Sequence, residues 1–317
     1  MTRLWIIGVA VCGLMACGGD NGDGGTDASA SADASMVDGG GADATSMCNG
    51  VTCDQGTCME ATGMCECNPG WEGATCSAVI QPPAGNLLFH LDGNDTNGNG
   101  TQSPLGPLGV WVDKEGGVSN FLQTGDARPT VIAGVNGLRM VSFDGGDWMP
   151  SGSAFAGITN KIAYTVIVVG RGMSNDNAFI AGTDTTNNDP GLLIETKTGN
   201  NLRFLHRAPF GTTGGDDMIT TSGQVKGDAL NRLWITREAS ATPSLGIKIN
   251  NELGLLQTGA APDIAGDLNL VLGRESVVTD SRYLTGEIAE VLIYLGEQTP
   301  NNNQELQQYL QDKWGVE

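Results

Sequence analysis

Six of the chain's eight cysteines fall between Cys48 and Cys76, in the run CNGVTCDQGTCMEATGMCECNPGWEGATC. Little else in those 29 residues is apolar. A segment this short cannot bury enough surface to fold on hydrophobic contacts alone, so covalent staples must hold it. Disulfides persist in an oxidising compartment, so the run also places the protein outside the cytosol. Six cysteines allow fifteen pairings, and spacing chooses none of them. Zinc is the rival reading of a cysteine cluster. It usually shows paired C-x2–4-C knuckles, whereas the spacings here are uneven. The stretch also divides the chain into export signal and tether before it and one β-rich domain after it.

The N-terminus reads as a targeting segment. Met1-Thr2-Arg3 carries one positive charge, and Leu4 to Ala16 is an uncharged apolar run of 13 residues. That length suits a signal-peptide core and is short for a membrane-spanning helix. The run ends Leu14-Met15-Ala16-Cys17, which resembles the bacterial lipobox. The resemblance implies a signal peptide over 1–16, cleavage before Cys17 and a lipid on Cys17, with several acyl chains giving durable membrane anchoring. Gly18, where an Asp would favour inner-membrane retention, points to the outer membrane or cell surface of a Gram-negative bacterium. An ordinary signal peptide with a chance cysteine is the alternative. Cys12 leaves with the signal in either case. From Gly18 to Met47 the chain has eight Gly, six Ala, six Asp and no Lys or Arg. Residues 17–47 have nothing to bury and should form a disordered tether. Its coil dimension is roughly 30 Å, extended further by like charge.

The segment Cys65-Glu66-Cys67-Asn68-Pro69-Gly70-Trp71-Glu72-Gly73-Ala74-Thr75-Cys76 resembles the C-terminal half of an EGF-like domain. That resemblance implies the bridges Cys48–Cys58, Cys53–Cys65 and Cys67–Cys76 over 48–76. Pro69-Gly70 then turns the chain, Gly73 lets it pass the last bridge, and Trp71 covers that bridge. Calcium-binding members carry acidic residues before the first cysteine, but Thr45-Ser46-Met47 stand here. The module therefore reads as a rigid spacer, with a protein-contact surface as the alternative.

The net charge of −20 argues against nucleic-acid binding, which needs clustered Lys and Arg. It leaves room for carboxylates that hold a divalent cation. After a linker at 77–84, residues 85–317 read as one mainly β domain, a two-sheet antiparallel sandwich. Twelve strand candidates recur between Gly, Asn, Asp and Thr clusters, among them Leu87–Leu91, Leu138–Phe143, Ala163–Val169, Leu192–Glu195, Leu233–Thr236 and Glu287–Tyr294. Only the end is helical. Thr299-Pro300 caps it, Leu306, Tyr309, Leu310 and Trp314 form one stripe, and Gly315 stops it.

Within that domain Val135-Asn136-Gly137-Leu138-Arg139-Met140-Val141-Ser142-Phe143-Asp144-Gly145-Gly146-Asp147-Trp148 resembles a segment of concanavalin A-like, LamG-type jelly rolls. Gly286 to Tyr294, with the helix ending Tyr309-Leu310-Gln311-Asp312-Lys313-Trp314-Gly315, is similar to the closing strand and helix of bacterial members. The resemblance implies carbohydrate or extracellular-protein binding without catalysis, by analogy of fold. The expected function is thus a surface-anchored binding or adhesion lipoprotein. A structural or assembly component of the cell envelope is the alternative, and a glycan hydrolase the distant one.

The residues themselves argue against a hydrolase. Related sandwich hydrolases carry E-[IL]-D-x-x-E, and the only lookalike is Glu287-Ile288-Ala289-Glu290-Val291. Its central Asp is Ala289, and regular alternation would put Glu290 on the opposite face from Glu287. There is no G-x-S-x-G, and the two histidines, His90 and His206, sit in apolar strands. No cofactor is certain, and calcium is the one candidate. Asp95-Thr96-Asn97-Gly98-Asn99-Gly100 fits the start of a calcium loop, with Asp92 and Asn94 adding oxygens. The closing Glu of an EF loop would fall on Gly106, so a full EF-hand is excluded. Asp144 with Asp147 is a weaker candidate.

Overall fold

The computed structural model describes residues 46–161, 163–172, 176–208, 210–211, 218–220, 225–239, 244–252, 255–258, 263–278, 281–296 and 298–316. The signal, Cys17 and the tether up to residue 45 lie outside them. Among the described residues no helix is long and apolar enough to cross a membrane.

Local covalent geometry builds the N-terminal module. The hairpin Gly56–Met59 with Met64–Cys67 places Cys58 opposite Cys65. Three disulfides close it: Cys48–Cys58, Cys53–Cys65 and Cys67–Cys76. Gly56 is required at the crossing, because a Cβ there would lie 2.4 Å from the Glu66 carbonyl oxygen and 2.8 Å from Cys76 Sγ. A second antiparallel pair joins Trp71–Glu72 to Ala78–Val79, and the Ile80 amide donates to the Gly70 carbonyl at 3.1 Å. The module therefore runs past Cys76. Ala78–Val79, expected to be linker, is its last strand, because Trp71 needs an extended partner to close its edge. The rest of the linker is pinned too, where the Tyr294 hydroxyl donates to the Pro83 carbonyl at 3.0 Å.

The larger part is an antiparallel sandwich, and every expected strand is present. Among the described residues one sheet has nine strands. Eight run in the order Leu255–Thr258, Ser244–Ile249, Asn231–Glu238, Tyr164–Gly172, Thr285–Leu295, Arg139–Asp144, Thr130–Ala133, Gly106–Pro107. The ninth, Leu87–Asp92, pairs with Glu290–Tyr294, while Arg139–Asp144 takes Thr285–Ile288. The ninth and sixth thus lie end to end along one edge of the long central strand Thr285–Leu295. The other sheet is Met149–Pro150, Leu268–Leu272, Asn177–Asp184, Pro190–Lys197, Asn201–His206, Met218–Thr220. Between the sheets lies a core rich in phenylalanine. The Phe89 ring meets Phe121 and Phe155 edge-on at 5.9 and 5.8 Å. Leu255–Thr258 and Met218–Thr220 were not foreseen. Each is a short sheet-edge strand whose pairing, rather than any sequence alternation, makes it extended.

A second apolar layer covers the outer face of the nine-stranded sheet. The helix Pro300–Trp314 lays Leu306, Tyr309, Leu310 and Trp314 on Ile167, Val169, Leu292 and Tyr294. Thr299 Oγ1 accepts the Asn302 amide at 3.2 Å at its start, and Gly315 ends it in the left-handed region at φ 69°. Trp71, Val79 and Ile80 of the N-terminal module pack into the same layer, and Trp71 Nε1 donates to the Asn136 carbonyl at 3.3 Å. The module is fused to the sandwich by a shared core.

The central strand is irregular at one point. Val169 pairs with Glu290, but Gly170 pairs with Ile288, so Ala289 is an extra residue in a β-bulge. Ile288 and Val291 point into the inner core, while Ala289 and Leu292 point outward. The bulge reverses the expected parity. Glu287 and Glu290 share the outer face, contrary to the alternation argument.

Candidate functional site

Those two glutamates meet different fates. Glu287 sits near the surface and is clamped by Arg171, Nε to Oε2 at 2.6 Å. Glu290 is fully buried under the terminal helix. Its Oε1 accepts from Lys313 Nζ at 2.9 Å, from the Tyr309 hydroxyl at 2.5 Å, and lies 2.8 Å from His90 Nε2. Its Oε2 accepts from Trp314 Nε1 at 2.8 Å. Lys313 Nζ also reaches Asp92 Oδ2 at 3.0 Å. Burial alone would raise the Glu290 carboxyl. The Lys313 ammonium, with help from His90 and Tyr309, overcomes this and holds it below the usual carboxylate range. Burial alone would likewise lower the Lys313 ammonium, but Asp92 and Glu290 hold it above its ordinary value. Among the described residues, His90, Asp92 and Glu290 form the one cluster spaced to hold a metal ion. Lys313 supplies the positive charge there itself.

The calcium-loop residues are committed to protein donors. Asp95 Oδ1 accepts the Asn99 amide at 3.0 Å and Oδ2 the Gly100 amide at 2.9 Å. Lys114 Nζ sits 3.3 Å from Asp95 Oδ2 and 3.5 Å from Asp92 Oδ2. Asn94 is buried, and its Oδ1 accepts from Gln102 and from the Arg139 amide. Asn97 and Asn99 are exposed, and Asn99 Oδ1 accepts from Thr101. The segment is a turn closed by its own amides and one lysine.

Asp144 and Asp147 do come together across Gly145-Gly146, with Asp147 Oδ2 accepting the Asp144 amide at 3.0 Å. Burial, reinforced by the Asp144 carboxylate, pushes Asp147 up to about 6. A carboxyl that binds its proton more tightly when folded favours the folded state only while protonated. Stability should therefore fall as pH rises from about 3.8 to about 6. Asp147→Asn should flatten that fall and raise the melting temperature at pH near 7 (~7 being above both values). Calorimetry across the range checks it. The second histidine is also structural. His206 is buried, with Nδ1 2.7 Å from the Tyr164 hydroxyl.

What remains open is the other half of the nine-stranded sheet's outer face, which the helix leaves uncovered. Along Asn231–Glu238, Leu233 and Ile235 enter the inner core, so Trp234, Thr236 and Glu238 face outward. The neighbouring strand presents Gly246 and Lys248 beside them. A Cβ on Gly246 would lie 2.4 Å from Thr236 Oγ1, so this glycine keeps the floor open. The result is a trough of about 250 Å³, bounded by Leu256 on one side and by Asn303 of the helix on the other. It continues to Thr165 and Gln298. Thr165 is 1% exposed, yet its Oγ1 has no hydrogen-bond partner among the described residues, and neither has Asn303 Oδ1. A buried polar atom without a partner costs free energy unless something else satisfies it. Sequence reasoning found the Leu233–Thr236 strand but not the trough. The alternation N-R-L-W-I-T-R-E marked an outward face. Nothing in it marked which outward face the helix would leave bare.

A family model described as an EGF-like domain matches residues 46–76. Three disulfides and this module mark an exported protein. No curated protein matches the chain. Among solved structures, a carbohydrate-binding module of a Ruminococcus gnavus sialidase is similar at 16% identity and TM-score 0.38, covering 45% of this chain and 80% of that one. Domain 4 of an extracellular arabinanase from Geobacillus stearothermophilus, in complex with arabinotriose, is similar at 17% identity and TM-score 0.44, covering 70% and 98%. The receptor-binding domain of botulinum neurotoxin type G is similar at 10% identity and TM-score 0.46, covering 73% and 54%.

Proposed function

We propose that the protein is an exported, surface-anchored binding protein, non-catalytic, whose sandwich recognises carbohydrate in the trough beside the terminal helix. Its head is read as a LamG-type jelly roll. A lipid on Cys17 and the acidic tether would carry it at the outer membrane or cell surface, with the EGF-like module bracing the head. The observation that carries the reading is the buried Thr165 hydroxyl, left without a partner at the trough's end. Trp234 lines it, and Thr236, Glu238, Lys248 and Asn303 offer the mixed donors and acceptors that sugar hydroxyls need. The carboxylates nearest to a hydrolase pair support the non-catalytic part. Glu287 is held by Arg171 and Glu290 by Lys313.

A glycan array, run with and without chelator, tests this. Thr165→Val should weaken glycan binding about fivefold, the loss of ~1 kcal/mol from one hydrogen bond. It should leave the melting temperature unchanged or slightly higher, because an unsatisfied hydroxyl is gone. Absence of any glycan signal sinks the carbohydrate reading. One observation favours the second reading, an assembly component that binds protein. Leu255 and Leu256, on the edge strand at the trough's rim, are 44% and 54% exposed. A strand that ends its sheet among the described residues, with exposed leucines, suits strand addition by another chain.

A further inference from the structure

The buried cluster beneath the terminal helix holds the parts of a covalent bond. Lys313 Nζ lies against a carboxyl oxygen of Asp92 at 3.0 Å and of Glu290 at 2.9 Å. All three side chains are at most 1% exposed. We propose that Lys313 and Asp92 condense to an amide, an intramolecular cross-link between the strand Leu87–Asp92 and the terminal helix, with Glu290 carrying the protons.

Three features separate this arrangement from an ordinary ion pair. The first is dryness. In water an ammonium and a carboxylate stay charged, hydrated and unreactive, and the amide is hydrolysed. Here the pair sits among Tyr309, Trp314, Leu310 and Leu292 in the outer core, where charge is costly and bulk water absent. The second is that Glu290 is fixed as a proton acceptor at Nζ. The indole of Trp314 holds its Oε2, and Tyr309 holds its Oε1. The third is a donor on the oxygen that must bear charge. Asp92 Oδ1 accepts the Asn94 amide at 2.9 Å, on the side away from Lys313.

The step balances without any added reactant. The Lys313 ammonium gives one proton to Glu290, which passes it to Asp92 Oδ2. The freed Nζ lone pair attacks Asp92 Cγ, and the Asn94 amide receives the oxyanion on Oδ1. Glu290 takes a second proton from Nζ and delivers it to Oδ2, which leaves as water when the carbonyl reforms. The N–C bond forms and the Cγ–Oδ2 bond breaks. Three ammonium hydrogens become one amide hydrogen and two in water, Glu290 ends as it began, and nothing is oxidised or reduced. A carboxylate oxygen of Asp92 and one of Glu290 lie within 4.8 Å of each other, and Lys313 Nζ contacts both residues, so the transfer stays inside the cluster.

Mass spectrometry of the full purified chain, reduced and digested, tests this. The expected product is one branched peptide joining the segments that contain Asp92 and Lys313, lighter by one water than their sum. Trypsin should fail to release the peptide starting at Trp314, because an acylated Lys313 is not a cleavage site. Glu290→Gln should yield the chain with no water lost and normal cleavage after Lys313. Lys313→Arg, which keeps the charge but not the primary amine, should do the same. Linear peptides carrying free Asp92 and Lys313 in the wild-type protein overturn the proposal. So does a branch at Lys114, the other amine near Asp92. Full cross-linking in Glu290→Gln overturns the role of Glu290.

Discussion

Measured against Lys313→Arg, which keeps the charge and cannot cross-link, Lys313→Met should destabilise the head by about 3–5 kcal/mol, the cost of leaving a buried charge without its partner. Urea unfolding at neutral pH measures it. Methionine fills much the same volume, so the loss is electrostatic rather than a cavity. Glu290 and Asp92 would remain buried, with Lys114 alone near Asp92. The sign of the pH dependence follows from the shifts. Glu290 is lowered in the folded state, so its contribution is present above the unfolded carboxylate value and is lost as pH falls through the folded one. Lys313 is raised, so its contribution is present below the unfolded lysine value and is lost as pH rises through the folded one. The charged network that precedes the cross-link therefore holds across the range between, and Lys313→Met should be less stable than Lys313→Arg throughout it. Adding Glu290→Gln to the variant should recover part of the loss, because one stranded charge is removed.

The second large effect belongs to the N-terminal module. Replacing Cys67 and Cys76 together by serine should cost about 2–5 kcal/mol, the usual cost of losing a native bridge from a small domain. A free-standing spacer would confine that loss to itself and leave the sandwich's melting temperature alone. The structure predicts otherwise. Cys76 closes the loop that holds Trp71, and Trp71, Val79 and Ile80 roof part of the sandwich's outer core. Loosening the module should uncover that core and lower the sandwich transition as well. Near-ultraviolet circular dichroism, which follows the tryptophans, would show both parts melting together. Two separate transitions, with the second unmoved, would restore the spacer.

These two sites show what a sequence reveals and what it withholds. The cysteine module was legible because its constraint is covalent and local: the spacing from Cys65 to Cys76 specifies a chain path wherever it occurs. The terminal helix was legible from its stripe, but the role of Lys313 was not. A lysine in the last turn of a helix is an ordinary exposed feature. The signal available was that position 313 lies on the same stripe as Leu306, Tyr309 and Leu310, a poor place for a solvated charge. The bulge at Ala289 could not be read, since an extra residue in a strand shows only against its neighbours. With it the facing of Glu287 and Glu290 was also hidden. The Asp95 segment was ambiguous for a physical reason. Calcium loops and amide-closed turns both need Asp, Asn and Gly at close spacing, and only the positions of Lys114 and the Asn99 and Gly100 amides separate them.

The split edge of the central strand has a kinetic consequence. Among the described residues Leu87–Asp92, the first strand of the sandwich, finds its ladder only on Glu290–Tyr294, nearly at the end of the chain, and His90 meets Glu290 across 200 positions. Nucleation close to the N-terminus is therefore closed to this head. Its order must wait until the last strand and helix have emerged, and then close a very long loop, which places it among slowly folding β topologies, about milliseconds to seconds. The cysteine hairpin needs no such wait. It can oxidise while the rest is still a random chain, so the module should close before the sandwich's first and last strands meet.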